Sequence, residues 1–242
     1  MNPIFEKEYT LRAGDFDKFD RLHPAAVLDL FQDVAGQHAD LLGIGYDTLL
    51  KRSLMWVLVR VKFRFLAPAH RYQTVVVKTW PLEPRRLSHR REYCIEDENG
   101  ERLVEGSSEW VVMDSVERKL RWTPTLYPMD FEFHTELMCE QRLDRIQHHL
   151  PQTKSAYVVR AGFSDLDINE HVNNVKYANY VMDAINPARE EEIESFQVDY
   201  RKEVAPETEL HIYCDREGDC IYACGDAGDN TEMFLCKLTL KR

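Results

Sequence analysis

Two stretches of the chain repeat apolar residues at the three- and four-residue spacing of an amphipathic helix. The first follows Pro24, a residue suited to the first turn of a helix, and its apolar face consists of Val27, Leu30, Phe31, Val34 and Leu41. The second has its apolar face at Val172, Val175, Ala178, Met182 and Ile185. Each pattern therefore predicts one long helix with a single buried face.

Each predicted helix is followed by apolar runs with the length and β-branched content of strands. The first series reads LMWVLVRVKFRF, YQTVVVKTW, REYCIED and RLVEGSSEWVVMD, with an Asn99-Gly100 hairpin signal before the last run. The second series reads ESFQVDYRKEV, ELHIYCD, CIYACGD and MFLCKLTL. A long helix is best buried by a sheet that wraps around it. The pattern therefore predicts an α+β fold with two antiparallel sheets, each wrapped around a central helix.

Short matching segments suggest that the two halves are an internal repeat. Arg12-Ala13-Gly14 recurs 148 residues later as Arg160-Ala161-Gly162, and Ala67-Pro68 recurs 138 residues later as Ala205-Pro206. We therefore expect an N-terminal unit at residues 1–125 and a C-terminal unit at residues 153–242. The connector at residues 126–152 lacks a strand period and is expected to hold at most one short helix.

The two copies differ at positions suited to chemistry. The first offset aligns Asp167, Asn169 and His171 with Phe19, Arg21 and His23, and the second aligns Glu203 with Phe65. The C-terminal copy thus carries four potentially catalytic groups where the N-terminal copy retains a histidine. This difference predicts one chemical site in the C-terminal half and a separate task for the N-terminal half.

The segment DLDINEHVNNVKY, residues 165–177, contains three of these groups. An extended backbone would point Asp167, Asn169 and His171 to one side, ahead of a helix start whose unpaired N–H groups favour negative charge. Histidine can accept a proton from water near neutral pH, Glu203 can orient it, and asparagine can polarise a carbonyl. These groups suit hydrolysis of an acyl compound without a covalent nucleophile. The alternative is that Asp and Asn only cap the helix.

Composition narrows the class of protein. The net charge of −11 over 242 residues argues against nucleic-acid binding. The chain has neither the ~18 consecutive apolar residues of a membrane span nor a signal-peptide pattern, so we expect a cytoplasmic protein without stable membrane association. The six cysteines include no C-x-x-C pair and no histidine at finger-like spacing, so we expect reduced thiols, no metal and no cofactor.

One basic run opposes the overall acidic charge. The segment PRRLSHRREY contains Arg85, Arg86, Arg90 and Arg91. These charges either protect the edge of a hairpin from strand pairing or form a docking surface for an acidic partner.

The segments DLDINEHVNNVKY and VDYRKEV closely resemble signature motifs of the acyl-acyl carrier protein (acyl-ACP) thioesterases of plant plastids and bacteria. The resemblance continues through MWVLVRVKF, VVVKTWP, RREYCIED and SSEWVVMDSVERKL, and covers nearly the whole chain in order. It implies a tandem, or double, hot-dog fold and hydrolysis of the thioester between a fatty acyl chain and carrier-protein phosphopantetheine. It places the catalytic set on Asp167, Asn169, His171 and Glu203. Many members carry a cysteine after that glutamate, whereas this chain has Val204, so a thiol nucleophile at that position is not required.

The resemblance also bears on partners and on the N-terminal half. Carrier proteins are acidic, which favours the docking interpretation of the four arginines, and Phe19 and Phe65 make the N-terminal unit a candidate acyl-chain pocket. Three alternatives stay open: a hot-dog acyl-CoA thioesterase, a hot-dog dehydratase, and an acyl-binding module without catalysis. A tandem repeat is compatible with either a monomer or a homodimer.

Overall fold

The computed structural model describes residues 2–140, 143–148, 154–228 and 231–241. The chain divides into two compact units: an N-terminal unit of residues 1–22 and 29–143, and a C-terminal unit of residues 23–28 and 144–242. Each unit contains a five-stranded antiparallel sheet. Within the described residues, no helix is long and apolar enough to cross a membrane.

The N-terminal unit is built from five strands and two α-helices, of which the longer one has its first residues, up to Leu28, in the C-terminal unit. They are β1 (Phe5–Thr10), α1 (Pro24–Leu41), α2 (Tyr46–Leu50), β2 (Leu54–Phe65), β3 (Thr74–Pro81), β4 (His89–Asp97) and β5 (Arg102–Asp114). The strand order is β1-β3-β4-β5-β2, and every pairing is antiparallel. The start of α1 and both ends of β2 and β5 agree with the sequence prediction, whereas the short helix α2 was not predicted.

Helix α1 packs against one face of this sheet through its predicted apolar side. Phe31 stacks on Tyr93 of β4 with ring centroids 4.3 Å apart and meets Phe63 of β2 edge-on. Gly106 of β5 makes this approach possible, because a Cβ atom there would lie 2.4 Å from the Phe31 ring. Leu41, also assigned to the apolar side, is instead 63% exposed, because the helix ends at that residue.

The C-terminal unit repeats the sheet with one shorter helix. Its elements are β6 (Tyr157–Arg160), α3 (Lys176–Ile185), β7 (Ile193–Tyr200), β8 (Glu209–Glu217), β9 (Cys220–Asp226) and β10 (Glu232–Leu240). The strand order is β7-β10-β9-β8-β6, again antiparallel throughout.

Helix α3 begins at Lys176, later than the apolar pattern predicted. The preceding residues form a turn in which the Asn173 side chain accepts a hydrogen bond from the N–H of Val175 at 2.9 Å. This side-chain bond offers the backbone an alternative to the helical one. Tyr177, one residue into the helix, is buried and meets Phe234 of β10 edge-on at 5.0 Å, which anchors the helix start to the sheet.

The connector predicted at residues 126–152 contains no helix in its described part, where at most one short helix was expected. Its backbone instead bonds to buried acids of the two sheets. The N–H of Met138 donates to Glu92 at 2.7 Å, and the N–H of Ile146 donates to Asp199 at 2.9 Å. The divide between the two units falls inside this segment.

Candidate active site

Residues 167–171, here called the C-terminal turn, form a tight turn rather than an extended segment. The N–H of Asp167 donates to the carbonyl of His171 at 2.9 Å, and Glu170 adopts a left-handed φ of 61°. The Asp167 carboxylate accepts the N–H of Asn169 at 2.8 Å. The expectation that the three polar side chains alternate onto one side is therefore wrong, because the Asp167 carboxylate folds back onto its own turn.

A single backbone bond brings Glu203 to this turn. The N–H of Val172 donates to the carbonyl of Val204 at 3.0 Å, and both valines are buried. This bond brings His171, the residue before Val172, beside Glu203, the residue before Val204. Nε2 of His171 lies 3.6 Å from Oε2 of Glu203. This separation exceeds a direct hydrogen bond, but a water molecule can be shared between the two groups. Each side chain is about one third exposed.

The two ring nitrogens of His171 have different surroundings. Nδ1 is buried and has no hydrogen-bond partner among the described residues, whereas Nε2 faces the Glu203 carboxylate. A neutral imidazole that keeps its proton on Nδ1 presents a free Nε2 lone pair on the Glu203 side. In that tautomer His171 can accept a proton from water.

Asn169 lies half-buried in the C-terminal turn. Its side-chain amide makes no hydrogen bond to the part of the chain that the structure describes, which leaves it able to donate to a ligand carbonyl. The helix start contributes fewer free donors than the sequence suggested, because Asn173 already binds the N–H of Val175.

Tyr177 was not singled out from the sequence, where it resembles any core aromatic residue. Burial raises the pKa of its hydroxyl, and the negative charges of Glu203 and Asp167 raise it further. The hydroxyl therefore stays protonated beside both carboxylates and can act as a neutral donor.

The N-terminal unit contains the same turn at residues 17–21, here called the N-terminal turn. The N–H of Asp17 donates to the carbonyl of Arg21 at 2.8 Å, and the Asp17 carboxylate accepts the N–H of Phe19 at 2.8 Å. Asp20 takes the left-handed φ of 66°. All three features recur in the C-terminal turn at an offset of 150 residues.

This offset corrects the repeat alignment made from Arg-Ala-Gly, which is displaced by two residues. A three-residue identity carries less weight than a shared set of backbone bonds, because those bonds determine where each side chain points. The aligned pairs are Asp167 with Asp17, Asn169 with Phe19, and His171 with Arg21. The aspartate is therefore common to both copies, and the inference that only a histidine survives in the N-terminal copy is wrong.

The counterpart of Glu203 also changes. The N–H groups of residues 66 and 67 both donate to one carbonyl, and the N–H groups of residues 201 and 202 both donate to another. This equivalence, an offset of 135 residues, aligns Glu203 with Pro68 and not with Phe65. Three groups therefore distinguish the C-terminal copy: an amide, an imidazole and a carboxylate.

The basic run is divided by the start of strand β4 at His89. Arg85 and Arg86 are exposed in the β3–β4 hairpin. Arg90 instead pairs with the fully buried carboxylate of Glu92, and Arg91 is only 7% exposed. We therefore restrict the predicted docking surface to Arg85 and Arg86, because the other two guanidinium groups are engaged inside the fold.

One histidine-carboxylate cluster has the composition of a metal site, formed by His148, Asp215 and Glu217. Nε2 of His148 lies 3.0 Å from Asp215, but it is Nδ1 that faces Glu217, at 3.9 Å. A single ion would bind one ring nitrogen, so this arrangement fits a hydrogen bond between His148 and Asp215 better than a metal site.

Family models match both halves of the chain. The acyl-ACP thioesterase N-terminal domain matches residues 2–125, and the acyl-ACP thioesterase C-terminal domain matches residues 146–241. The chain belongs to the acyl-ACP thioesterase family.

Among curated proteins, the chain is similar to the acyl-[acyl-carrier-protein] hydrolase FATB2, chloroplastic, of Cuphea viscosissima, with 28% identity over 86% of this chain and 54% of that protein. It is also 27% identical to the palmitoyl-acyl carrier protein thioesterase, chloroplastic, of Arabidopsis thaliana, over 97% of this chain and 60% of that protein. The chain thus spans little more than half the length of these relatives.

Solved structures show the same fold. An acyl-ACP thioesterase from Bacteroides thetaiotaomicron superimposes with a TM-score of 0.85 at 22% identity, covering 99% of this chain and 98% of the other. The 12:0-ACP thioesterase from Umbellularia californica gives a TM-score of 0.87 at 21% identity, covering 100% and 98%. The predicted double hot-dog fold is confirmed.

Proposed function

We propose that this chain hydrolyses the thioester between a fatty acyl chain and the phosphopantetheine of acyl carrier protein, releasing the free fatty acid. The observation that carries the proposal is the approach of His171 Nε2 to Glu203 Oε2 at 3.6 Å beside the C-terminal turn. It occurs in a chain whose two halves both match the acyl-ACP thioesterase family.

In the proposed mechanism, water is the nucleophile. His171 accepts a proton from water through Nε2 while the water oxygen attacks the thioester carbonyl. Glu203 stabilises the resulting imidazolium by its charge and orients the water. When the tetrahedral intermediate collapses, the C–S bond breaks and the imidazolium returns the proton to the leaving thiolate.

The developing oxyanion needs hydrogen-bond donors, which Asn169 and nearby backbone N–H groups supply. Asp167 acts on the backbone, where it holds the turn that presents Asn169 and His171. No thiol takes part at the position after the glutamate, since that residue is Val204 and is buried.

The N-terminal unit has a different role in this proposal, namely recognition of the acyl chain and of the carrier protein. Its turn carries Phe19 and Arg21 where the C-terminal turn carries the reactive groups. Arg85 and Arg86 project from the same unit and suit the acidic surface of a carrier protein.

The proposed reaction is tested with matched thioesters of one acyl chain on acyl carrier protein and on coenzyme A. We expect release of the fatty acid, with a kcat/KM about tenfold or more higher for the carrier-protein substrate. Equal values for the two substrates would favour the acyl-CoA alternative. Loss of water from a hydroxyacyl chain without thioester cleavage would favour the dehydratase.

Carrier-protein docking is tested by charge reversal. The double variant Arg85→Glu, Arg86→Glu should raise KM for acyl carrier protein substrates and leave turnover of a small uncharged thioester unchanged. Added salt should raise the wild-type KM in the same way, by screening. Arg52→Glu, at another exposed arginine of the same unit, is the matched control. Equal effects of the two reversals would contradict the assignment of the docking surface.

A further inference from the structure

A buried histidine in the N-terminal unit has no hydrogen-bond partner among the residues that the structure describes. His89 of β4 is 3% exposed, and neither of its ring nitrogens is bonded to any described residue. Burial lowers its pKa to about 4, so the ring is neutral at neutral pH. A neutral imidazole has one N–H donor and one nitrogen acceptor, and here both are unused.

The neighbours of His89 are aromatic and do not supply the missing bonds. Trp56 meets the ring edge-on at 5.0 Å, and the Tyr127 ring lies 6.0 Å away. Trp110 is the directly opposite residue on β5, but its indole N–H already donates to Ser108 at 2.7 Å. These three aromatic neighbours therefore leave both ring nitrogens of His89 unpaired among the described residues.

A positive charge lies on the same face of the same strand. His89, Arg91 and Tyr93 are spaced two residues apart on β4, so their side chains lie on the same face of the sheet. This is the face that α1 covers, because Phe31 of α1 stacks on Tyr93. The guanidinium of Arg91 donates to His38 at 3.1 Å, and no described carboxylate lies within salt-bridge distance.

His38 accepts this hydrogen bond but brings no negative charge to Arg91. Burial, together with the positive charge of Arg91, lowers the pKa of His38 to about 3, so this ring is also neutral. A buried cation without an anionic partner is unfavourable, and it raises the affinity of the surroundings for an electronegative oxygen.

A saturated acyl chain would leave these polar groups as they are, because it has neither a lone pair nor an O–H bond. A hydroxyl group on the chain can donate to one nitrogen of His89 or accept from the other. Sites that hydrogen-bond a substrate hydroxyl discriminate strongly against the analogue that lacks it, since the polar groups of the site are then left unpaired.

We propose that the N-terminal unit selects acyl chains that carry a hydroxyl group, with His89 as the specificity-determining residue and Arg91 as a supporting donor. This inference rests on the proposed thioesterase function, because it names the class of chain that the enzyme cleaves.

The direct test uses acyl carrier protein loaded with chains of one length, either saturated or hydroxylated at one of several positions. The wild-type kcat/KM for the best hydroxylated isomer should exceed that for the saturated chain by about tenfold. His89→Phe, which keeps a ring of similar shape, should bring this ratio close to one. His89→Gln, which keeps a donor and an acceptor, should retain part of it.

His134→Phe is the matched control. His134 is a half-exposed histidine of the same unit that stacks edge-on against Trp80 and takes no part in the proposed contact. This variant should leave the ratio of hydroxylated to saturated chains unchanged.

A binding measurement separates this inference from the proposed function. The free hydroxylated fatty acid should raise the Tm of the wild-type protein more than the saturated acid of the same length, and His89→Phe should abolish the difference. If no thioester is cleaved but this difference is present, the thioesterase proposal fails and the role of His89 stands. If saturated and hydroxylated chains behave alike in wild type and in His89→Phe, the inference about His89 is wrong.

Discussion

The two turns of the molecule share a backbone and differ in chemistry. The N-terminal turn and the C-terminal turn have equivalent cross-turn hydrogen bonds and a left-handed residue at the same position. Each turn also has an aspartate at the same position that accepts a backbone N–H. In the N-terminal turn the guanidinium of Arg21 lies 5.3 Å from the centre of the Phe19 ring. In the C-terminal turn the equivalent positions carry His171 and Asn169, and Glu203 lies beside them.

The difference teaches that the turn is a scaffold. Its hydrogen bonds determine where two side chains point, and they do so whether or not those side chains are reactive. The proposed chemistry therefore depends on the side chains of Asn169 and His171 and on one carboxylate from the neighbouring segment. Asp167 belongs to the scaffold, because Asp17 makes the same bond in the N-terminal turn.

The largest expected effect is that of replacing the imidazole. His171→Ala should lower kcat by about 10²- to 10⁴-fold, the usual contribution of a positioned general base, with little change in substrate binding. Arg21→Ala makes the equivalent change in the N-terminal turn and should leave kcat near the wild-type value. Steady-state hydrolysis of an acyl carrier protein substrate measures both. Near-normal turnover by His171→Ala would remove the basis of the proposed mechanism.

The second-largest expected effect is a loss of folding stability at acidic pH, caused by two histidines of the N-terminal unit. The pKa of His89 is lowered to about 4 and that of His38 to about 3, from an ordinary value near 6.5. The unfolded chain thus binds protons below about pH 6.5 that the folded chain does not, so stability is complete above that pH and falls toward pH 4.

The expected loss at pH 4 is on the order of 3 kcal/mol for each of these two histidines. His89→Phe should remove the part of this loss that is due to His89. In urea unfolding, the decrease in unfolding free energy from neutral to acidic pH should therefore be smaller for this variant than for wild type. His134→Phe serves again as the control and should keep the wild-type difference. An unchanged pH dependence in His89→Phe would show that His89 is protonated in the folded protein.

Replacing the carboxylate should have a smaller effect than replacing the imidazole. Glu203→Gln keeps the shape and removes the charge that faces His171 at 3.6 Å, so we expect kcat to fall by about 10- to 100-fold. Glu207→Gln, an exposed residue four positions later that pairs with Arg160, is the matched control. If both variants retain full turnover, Glu203 is not part of the mechanism.

The smallest expected effects distinguish an aspartate that only holds the turn from one that takes part in the reaction. Asp167→Ala removes one side-chain bond to the turn backbone and Asp17→Ala removes two, so they should lower the unfolding free energy by about 1 and about 2 kcal/mol. Thermal unfolding should give the larger decrease in Tm for Asp17→Ala, whereas turnover should fall in Asp167→Ala alone. Asp167→Asn keeps the acceptor and should keep most of the turnover. A folded but inactive Asp167→Asn would show that the carboxylate itself takes part.

Local patterns predicted much of the fold. The runs LMWVLVRVKFRF, RLVEGSSEWVVMD and CIYACGD coincide with β2, β5 and β9, and Pro24 is the first residue of α1. Such predictions succeed because helical and strand periods are properties of a few neighbouring residues. The late start of α3 was missed, since a side-chain bond from Asn173 competes with the first helical turn.

The candidate site was only partly predictable. Its residues were identified from the signature segments, but the direction of the Asp167 side chain and the partner positions in the N-terminal copy were predicted wrongly. The basic run shows the same limit: the strand prediction already began at Arg91, yet burial of an arginine is an exception that periodicity does not indicate.

The amino-acid sequence by itself determined the order of the two long helices and the strands that follow them, the duplication of the unit and the family to which the chain belongs. The tertiary structure alone decided that His171 meets Glu203, because their approach depends on the bond from Val172 to Val204 between segments distant in the chain. It also decided that His89 is buried without a hydrogen-bond partner in the described part of the chain. The physical reason is that periodicity is a local property of the backbone, whereas contacts depend on the register of hydrogen bonds between segments, which no short stretch of sequence contains.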